Sequence, residues 1–270
     1  MGKQEIAICY LCAGVSSRFE GKIKQFAVVG PNDETLMEYS LNQALKAGFS
    51  KIVFIVGNKT EIPFREKFGN SYLGVPVLYA VQKFDEKERD KPWGTADATA
   101  TMFGIVDCPF VLMNGDDIYG ERTFRILAEH LKTSNDEAVP GYKLLNVLPE
   151  TGTGNRGLIS VENGYLKNIT ETLGISRENF REKGLDENSL MSLNAFALHP
   201  AVLRMMMERI EEFKLVHKGD RKIECFLPNE IGELAKLGKI KVRCLETPDR
   251  WIGVTSPGDE LVVREELKTS

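Results

Sequence analysis

Three short stretches of this chain combine residue types that bind phosphate or metal, and each follows an apolar run. The first is Ala13-Gly14-Val15-Ser16-Ser17-Arg18, with Lys24 a few residues on. Glycine lets the backbone approach a phosphate and the turn offers N–H donors, while two hydroxyls, a guanidinium and an ammonium can balance a triphosphate. The spacing is neither Gly-x-x-x-x-Gly-Lys-Ser/Thr nor Gly-x-Gly-x-x-Gly. Taken alone, it also fits a strand-to-helix turn with solvated charges. The second stretch is Gln82, whose amide could read a base edge, with Pro92-Trp93-Gly94-Thr95-Ala96-Asp97-Ala98. Gly94 and Thr95 would open a helix whose first N–H groups face an anion or a base. Plain capping by Thr95 or Asp97 uses the same residues. The third is Asn114-Gly115-Asp116-Asp117-Ile118-Tyr119-Gly120. Mg2+ takes few carboxylates and completes its shell with phosphate oxygens and water, which suits two acids beside a glycine. An Asx-turn with exposed acids is the alternative.

These stretches need strand ends to carry them. Ile6 to Leu11 is a continuous apolar run ended by Gly14, as a buried parallel strand would be. Glu34 to Ala47 places Leu36, Met37, Ser40, Leu41, Ala44 and Leu45 on one helical face, with Gly48 at the C-terminal cap. Further strands are expected at Ile52–Val56, Val75–Val81 and Phe110–Met113, and helices at Glu61–Phe68 and Ala96–Phe103. This alternation predicts an α/β fold: a doubly wound, Rossmann-like, mostly parallel mixed sheet flanked by helices. In such sheets ligands bind beyond the carboxyl ends of the strands, where all three stretches fall. The second half reads as short strands near Ala138–Leu145, Leu158–Val161, Tyr165–Ile169, Leu190–Leu198 and Ile240–Leu245. Helices are expected at Ala201–Phe213, Cys225–Leu237 and Asp259–Leu267. Gly152–Asn155 and Lys214–Lys222 read as mobile loops, and Lys83–Lys91 as a charged loop able to act as a lid. No linker or repeat emerges, so residues 1–270 are expected to form one domain.

A net charge of −4 over 270 residues gives no broad polyanion-binding surface, so a nucleic-acid partner is not expected. Five cysteines and a polar start point to reduced thiols and a cytoplasmic chain without signal peptide or membrane span. Cys9 and Cys12 form a lone Cys-x-x-Cys inside an apolar run, best read as packing. His130, His199 and His217 are scattered and form no triad or metal spacing. Trp93 and Trp251 fit either core burial or stacking on a ligand.

Taken together, the motifs resemble the sugar-1-phosphate nucleotidyltransferase family. Its Leu-Ala-Ala-Gly-x-Gly-Ser/Thr-Arg loop and following lysine are similar to Leu11-Cys12-Ala13-Gly14-Val15-Ser16-Ser17-Arg18-Phe19 and Ile23-Lys24-Gln25-Phe26. Gly94-Thr95-Ala96 resembles its Gly-Thr-Ala element, and Asn114-Gly115-Asp116-Asp117 its Gly-Asp metal strand. Arg156-Gly157, Glu171, Ser192-Leu193-Asn194 and Trp251-Ile252-Gly253-Val254-Thr255-Ser256-Pro257 resemble its sugar-side and closing segments in the right order. Ser16 replaces the second loop glycine. Thr172 stands where many relatives have a lysine, so the sugar phosphate needs another cation, with Arg156 and Lys222 as candidates. Gly253 stands where many relatives place a second metal aspartate, leaving Asp116 to share the metal with Asp117, Asp249, Asp259, phosphates and water.

The resemblance implies in-line attack of a sugar-phosphate oxygen on the α-phosphorus of an NTP, releasing pyrophosphate. Arg18, Lys24 and Asp116 would be catalytic, Asp116 holding Mg2+ with Asp117 as a second candidate ligand. Leu11, Ala13, Gly14, Ser16, Ser17, Gln82, Gly94 and Thr95 would bind the nucleotide. Arg156, Gly157, Glu171, Asn194 and Lys222 would bind the sugar phosphate, making 1–130 a nucleotide-binding lobe and 131–270 a sugar-phosphate-binding lobe. The expected partners are an NTP and a sugar phosphate, and a homo-oligomer is left open. The alternatives are a cytidylyltransferase on a non-sugar phosphate, a glycosyltransferase, and a catalytically silent nucleotide-sugar sensor.

Overall fold

The computed structural model describes residues 4–14, 23–253 and 259–268. In chain order the elements are β1 (Ala7–Cys12), α1 (Leu36–Ala47), β2 (Lys51–Gly57), α2 (Glu61–Phe68), β3 (Ser71–Tyr72), β4 (Val75–Gln82), α3 (Thr95–Ala100), β5 (Phe110–Asn114), β6 (Asp117–Ile118) and α4 (Glu121–Thr133). Then come β7 (Glu137–Lys143), β8 (Gly154–Glu162), β9 (Tyr165–Ile175), β10 (Leu190–Ser192), β11 (Phe196–Leu198), α5 (Pro200–Val216), α6 (Leu227–Lys236), β12 (Val242–Thr247), β13 (Ile252–Gly253) and α7 (Asp259–Lys268).

β1 lies at the centre because it is apolar on both faces. It pairs in parallel with β2 on one side and β5 on the other, and β4 runs parallel beyond β2. Its alternate side chains enter opposite cores, as the two-residue period of a strand dictates. Ile8, Tyr10 and Cys12 pack with Met37 and Leu41 of α1, Phe64 of α2 and Phe124 and Leu127 of α4. Ala7 and Cys9 pack with Ala96 and Ala98 of α3, Met206 of α5 and Ile231 of α6. Helices therefore cover both faces, giving the doubly wound, mixed α/β sheet expected of the sequence. α1 starts with a Thr35–Glu38 capping box and stops at Gly48, whose φ of 97° suits a left-handed cap.

Among the described residues the large sheet has eleven strands, ordered β10-β8-β9-β12-β7-β11-β5-β1-β2-β4-β3. β10 also pairs with β7, so β7, β10, β8, β9 and β12 close into a ring beside the parallel core. The strand expected over Leu190–Leu198 is broken into β10 and β11, because Asn194 adopts a left-handed backbone with φ 56°. α4 is an additional helix, and α7 anchors Val263 against Leu36 and Ile118. The segments read as mobile are otherwise engaged. Gly154 and Asn155 begin β8, and Lys214 lies in the last turn of α5. Between α5 and α6 the chain is laced to the 85–93 loop: Arg89 donates to the carbonyls of Asp220 and Ile223, Arg221 pairs with Asp90, and Lys91 pairs with Glu224. Among the described residues no helix is long and apolar enough to cross a membrane.

Candidate active site

The parallel register sets the first part of the site. Leu11 of β1 lies opposite Asn114 of β5, so the segments leaving both strands emerge side by side. The Gly115 N–H donates to the Leu11 carbonyl at 3.0 Å. A Cβ at position 115 would lie 3.0 Å from Cε of Met37 and nearer still to Sγ of Cys12, so a side chain there would push the turn off β1. Lys24 reaches this turn from a short 3-10 helix, Lys24–Phe26, and its Nζ lies 2.7 Å from Oδ2 of Asp116. Lys24 is 11% exposed and Asp116 33%, so the pair is screened less than a surface ion pair. Arg18, Ser16 and Ser17 lie outside the described residues.

Asp117 is buried beside this pair, and burial, then the neighbouring Asp116 carboxylate, pushes its pKa up to about 7. Asn114 and Lys24 act in the opposite direction, as does the Trp251 indole N–H, which falls short of hydrogen-bond geometry. The carboxylate accepts from Nδ2 of Asn114 at 2.9 Å, and Asn114 in turn accepts from Nδ2 of Asn194 at 2.7 Å. The left-handed turn at Asn194 is what brings that amide across. β6 pairs with β13 so that Asp117 stands directly opposite Gly253. Asp249 faces elsewhere: its carboxylate accepts from the backbone N–H and hydroxyl of Thr123 in the first turn of α4. The side chain of Asp259 lies outside the described residues.

Residues next to this corner in the chain line two cavities. One, of about 580 Å³, is lined by Ala13 and Gly14 after β1, Gly57, Asn58 and Lys59 after β2, Gln82 at the end of β4, and the 84–92 loop. The other, of about 630 Å³, is lined by Thr95, Asn114, Asp117, Asn155, Arg156, Gly157, Glu171, Ser192, Asn194, Phe226, Asn229 and Trp251, among others. Oγ of Ser192, Oδ1 of Asn194 and Nε1 of Trp251 are buried on this second cavity without a hydrogen-bond partner. Buried polar atoms are nearly always paired, so three orphans on one wall mark a place where a polar ligand belongs. Arg156 lies over the Trp251 ring, 4.6 Å from its centroid. It donates Nε and Nη2 to the Val147 carbonyl and Nη1 to that of Asn155, leaving two of its five N–H groups for a ligand. Burial pulls its pKa down while Asp117 and Glu171 pull it back.

Several candidates stand elsewhere than the sequence reading put them. Thr95 lines the second cavity, and its hydroxyl accepts the Leu227 N–H. The N–H of Ala96 in the first turn of α3 is taken by the Cys225 carbonyl. Gly94 is packed against Cys225, where a Cβ would lie 2.8 Å from the backbone nitrogen, and its carbonyl accepts from Gln82. The carbonyl of Leu11 holds Gly115 and is not on the first cavity. Lys222 is exposed and lines neither cavity, because its loop is turned toward the 85–93 segment. Gly157 does line the second cavity, but its lack of a side chain serves Ile169, whose Cγ2 would lie 2.8 Å from a Cβ. One ring face of Trp93 is covered by Arg89. Gly57, Asn58 and Lys59 went unassigned by sequence, although their place after a buried strand is the same signal that singles out the other loops.

With this geometry in view, the likenesses to known proteins can be placed. No curated protein matches the sequence. A Bacillus anthracis structure solved as a glucose-1-phosphate thymidylyltransferase in complex with sucrose has 16% identity and a TM-score of 0.70, covering 98% of this chain and 96% of that one. The inositol-1-phosphate CTP transferase of T. maritima has 16% identity and a TM-score of 0.65, covering 99% and 97%. A UDP-glucose pyrophosphorylase complexed with UDP-glucose has 15% identity and a TM-score of 0.67, covering 99% of both chains. At such identities these structures establish a shared fold. The family model for nucleotidyl transferases matches residues 20–217, most of the chain. The protein therefore belongs to the nucleotidyl transferase family and is an enzyme of that class.

Proposed function

We propose that this enzyme transfers the nucleoside monophosphate of an NTP to the phosphate of a sugar 1-phosphate, with Mg2+, releasing pyrophosphate. The observation that carries the reading is the Lys24–Asp116 ion pair at the turn where the ends of β1 and β5 meet. Ala13 and Gly14, just beyond β1, line the first cavity, and Asn114 and Asp117, on either side of Gly115-Asp116, line the second. A triphosphate in the first cavity and a phosphorylated polyol in the second would meet there. In this reading residues 1–130 mainly hold the nucleotide and 131–270 the acceptor, with Thr95, Asn114 and Asp117 crossing over.

The attacking phosphate oxygen is already an anion, so no general base is required, and the chain's work is positioning and charge stabilisation. Lys24 and Arg18 would offset charge gathering on the departing pyrophosphate. Arg156, half-desolvated and with two free N–H groups, would hold the acceptor phosphate, a task also expected of Lys222 that its exposed position does not support. Glu171 and the unpartnered atoms of Ser192, Asn194 and Trp251 would meet hydroxyls. The donor set suits Mg2+: two adjacent carboxylates, all oxygen, one of them partly solvent-accessible. When bound by Asp116 and Asp117, the ion would reduce repulsion between the two anionic substrates.

The test is pyrophosphate release across a matrix of NTPs and acceptors, with and without Mg2+. The acceptors are sugar 1-phosphates, inositol 1-phosphate and phosphocholine. Turnover confined to sugar 1-phosphates with Mg2+ is expected. Turnover only with a non-sugar phosphate would replace the acceptor, and NTP binding without turnover in every pairing would overturn the reading.

A further inference from the structure

Gln82 ends β4 on the wall of the first cavity, and its side chain is 5% exposed. Its Nε2 donates to the Gly94 carbonyl at 3.0 Å and to Oδ2 of Asp97 at 2.7 Å. Both amide hydrogens are thereby engaged, and the side chain's remaining hydrogen-bonding group is its carbonyl oxygen, an acceptor. The other oxygen of Asp97, Oδ1, receives Nζ of Lys214 at 2.5 Å from the last turn of α5. We infer that Asp97, held by Lys214, is a positioning residue for base selection: it locks the Gln82 amide so that the cleft presents an acceptor to the nucleobase, selecting bases with an N–H donor at that edge.

The inference deepens the proposed nucleotidyl transfer and rests on an NTP occupying the first cavity. An unrestrained glutamine amide has two nearly isosteric orientations that interchange donor and acceptor. Here the flipped orientation would set the oxygen against both a carboxylate and the Gly94 carbonyl. Losing two hydrogen bonds, one to a charged group, disfavours it on the order of a hundredfold. Asp97 is itself buried, 4% exposed, and a carboxylate so placed needs a counter-charge. Lys214 supplies it, so an element of the acceptor half fixes what the nucleotide half reads. An acid in the first turn of α3 also suits the helix dipole, but that role asks nothing of Gln82 or Lys214.

The experiment is calorimetric binding of ATP, GTP, CTP, UTP and inorganic triphosphate to the wild type, Asp97→Asn, Lys214→Arg and Lys214→Met, followed by kinetics with the best acceptor. Because binding needs no acceptor, a wrong acceptor assignment does not touch this readout. The wild type should prefer particular bases. Asp97→Asn should weaken the preferred NTP roughly 10- to 100-fold and compress the ratio of best to worst NTP at least about tenfold, since unpairing a site built for one donor forfeits that discrimination. The loss should fall on KM with little change in kcat, and triphosphate affinity should stay at the wild-type value. Lys214→Arg should keep the base ranking and Lys214→Met should lose it. An Asp97→Asn protein with wild-type ranking and ratio, or one that weakens triphosphate as much as NTP, would overturn the inference. If circular dichroism shows that Asp97→Asn does not fold, Lys214→Met decides by the same criterion. If the wild type binds no NTP, the nucleotidyl-transfer reading falls and takes this one with it.

Discussion

Placing a side chain at Gly253 tests how the second cavity is built. A Cβ there would lie 2.7 Å from Cζ2 of Trp251 and nearer still to Cη2. Carbon atoms rest at about 3.5–4.0 Å, so in Gly253→Ala the indole must withdraw by roughly 1 Å. Overpacking of this kind typically costs about 1–3 kcal/mol. Moving the ring also loosens its contact with Arg156, 4.6 Å from the centroid, worth about 0.5–2 kcal/mol. Both residues wall the second cavity, proposed to take the acceptor, and neither lines the first one. The loss should therefore appear in KM for the acceptor, about 5- to 30-fold for 1–2 kcal/mol, with KM for the NTP unchanged. Intrinsic fluorescence should change as Trp251 parts from Arg156, and Tm should drop by a few degrees.

Gly253→Asp extends the reasoning. The same Cβ collision occurs, and cross-strand partners stand about 4.5–5.5 Å apart at Cβ. The new carboxylate would face Asp117, which already lies against Asp116. Gly253→Asp is expected to be no more active than Gly253→Ala at any Mg2+ concentration. Steady-state kinetics over a Mg2+ titration checks this. Higher activity in Gly253→Asp, or an unchanged acceptor KM in Gly253→Ala, would refute the account.

Lys24→Met, Arg18→Ala and Asp116→Asn should each keep a wild-type circular dichroism spectrum while pyrophosphate release falls roughly 10²–10³-fold, the loss typical of one well-placed charge-stabilising group. Asn194→Gly and Asn194→Ala both remove the 2.7 Å bond to Asn114, but only alanine meets the penalty of φ 56°, so urea unfolding should rank Ala below Gly by about 1 kcal/mol. The hydrogen bond that the His199 ring donates to the Glu137 carboxylate raises the pKa of His199 above its usual value. The stability it contributes is complete below pH about 6.5 and is lost as pH rises through the raised pKa, so the wild type's advantage over His199→Gln in urea midpoint should shrink between mildly acid and alkaline pH.

What the sequence discloses follows the range of the interaction. The parallel core was legible because β1, β2 and β5 are apolar on both faces and report their burial locally. Lys24 and Asp116 were legible because the ends of adjacent parallel strands must share a rim. α4 carries Phe124, Leu127, Ala128 and Leu131 on one face, a helical period that was there to be read. By contrast, the place of Thr95 on the second cavity is not legible, because a helix start looks the same whichever cavity it borders. The N–H that its hydroxyl accepts, that of Leu227, comes from a remote element. Lys222 was chosen for its charge, which says nothing of direction. The Gln82–Asp97–Lys214 relay joins three elements, and no local pattern couples them.

Gly253 shows how a local deficit can be answered across a strand pair. Read along the chain, it is a missing acid beside Trp251. In the fold, β13 pairs with β6, and the residue facing Gly253 is Asp117. The absent side chain gives the Trp251 ring room to lie over the backbone, where it supports Arg156 and turns its N–H toward Asp117. A carboxylate on one strand and an indole folded over the other thus occupy the space that two opposed acids would contest. If that exchange is what keeps the site competent, Asp117→Asn should impair turnover in this chain even though Asp116 and Lys24 remain paired. Loss of Mg2+ affinity in Asp117→Asn, measured by calorimetry in the presence of a non-hydrolysable NTP, is the expected outcome, and wild-type affinity would leave Asp116 as the sole carboxylate ligand.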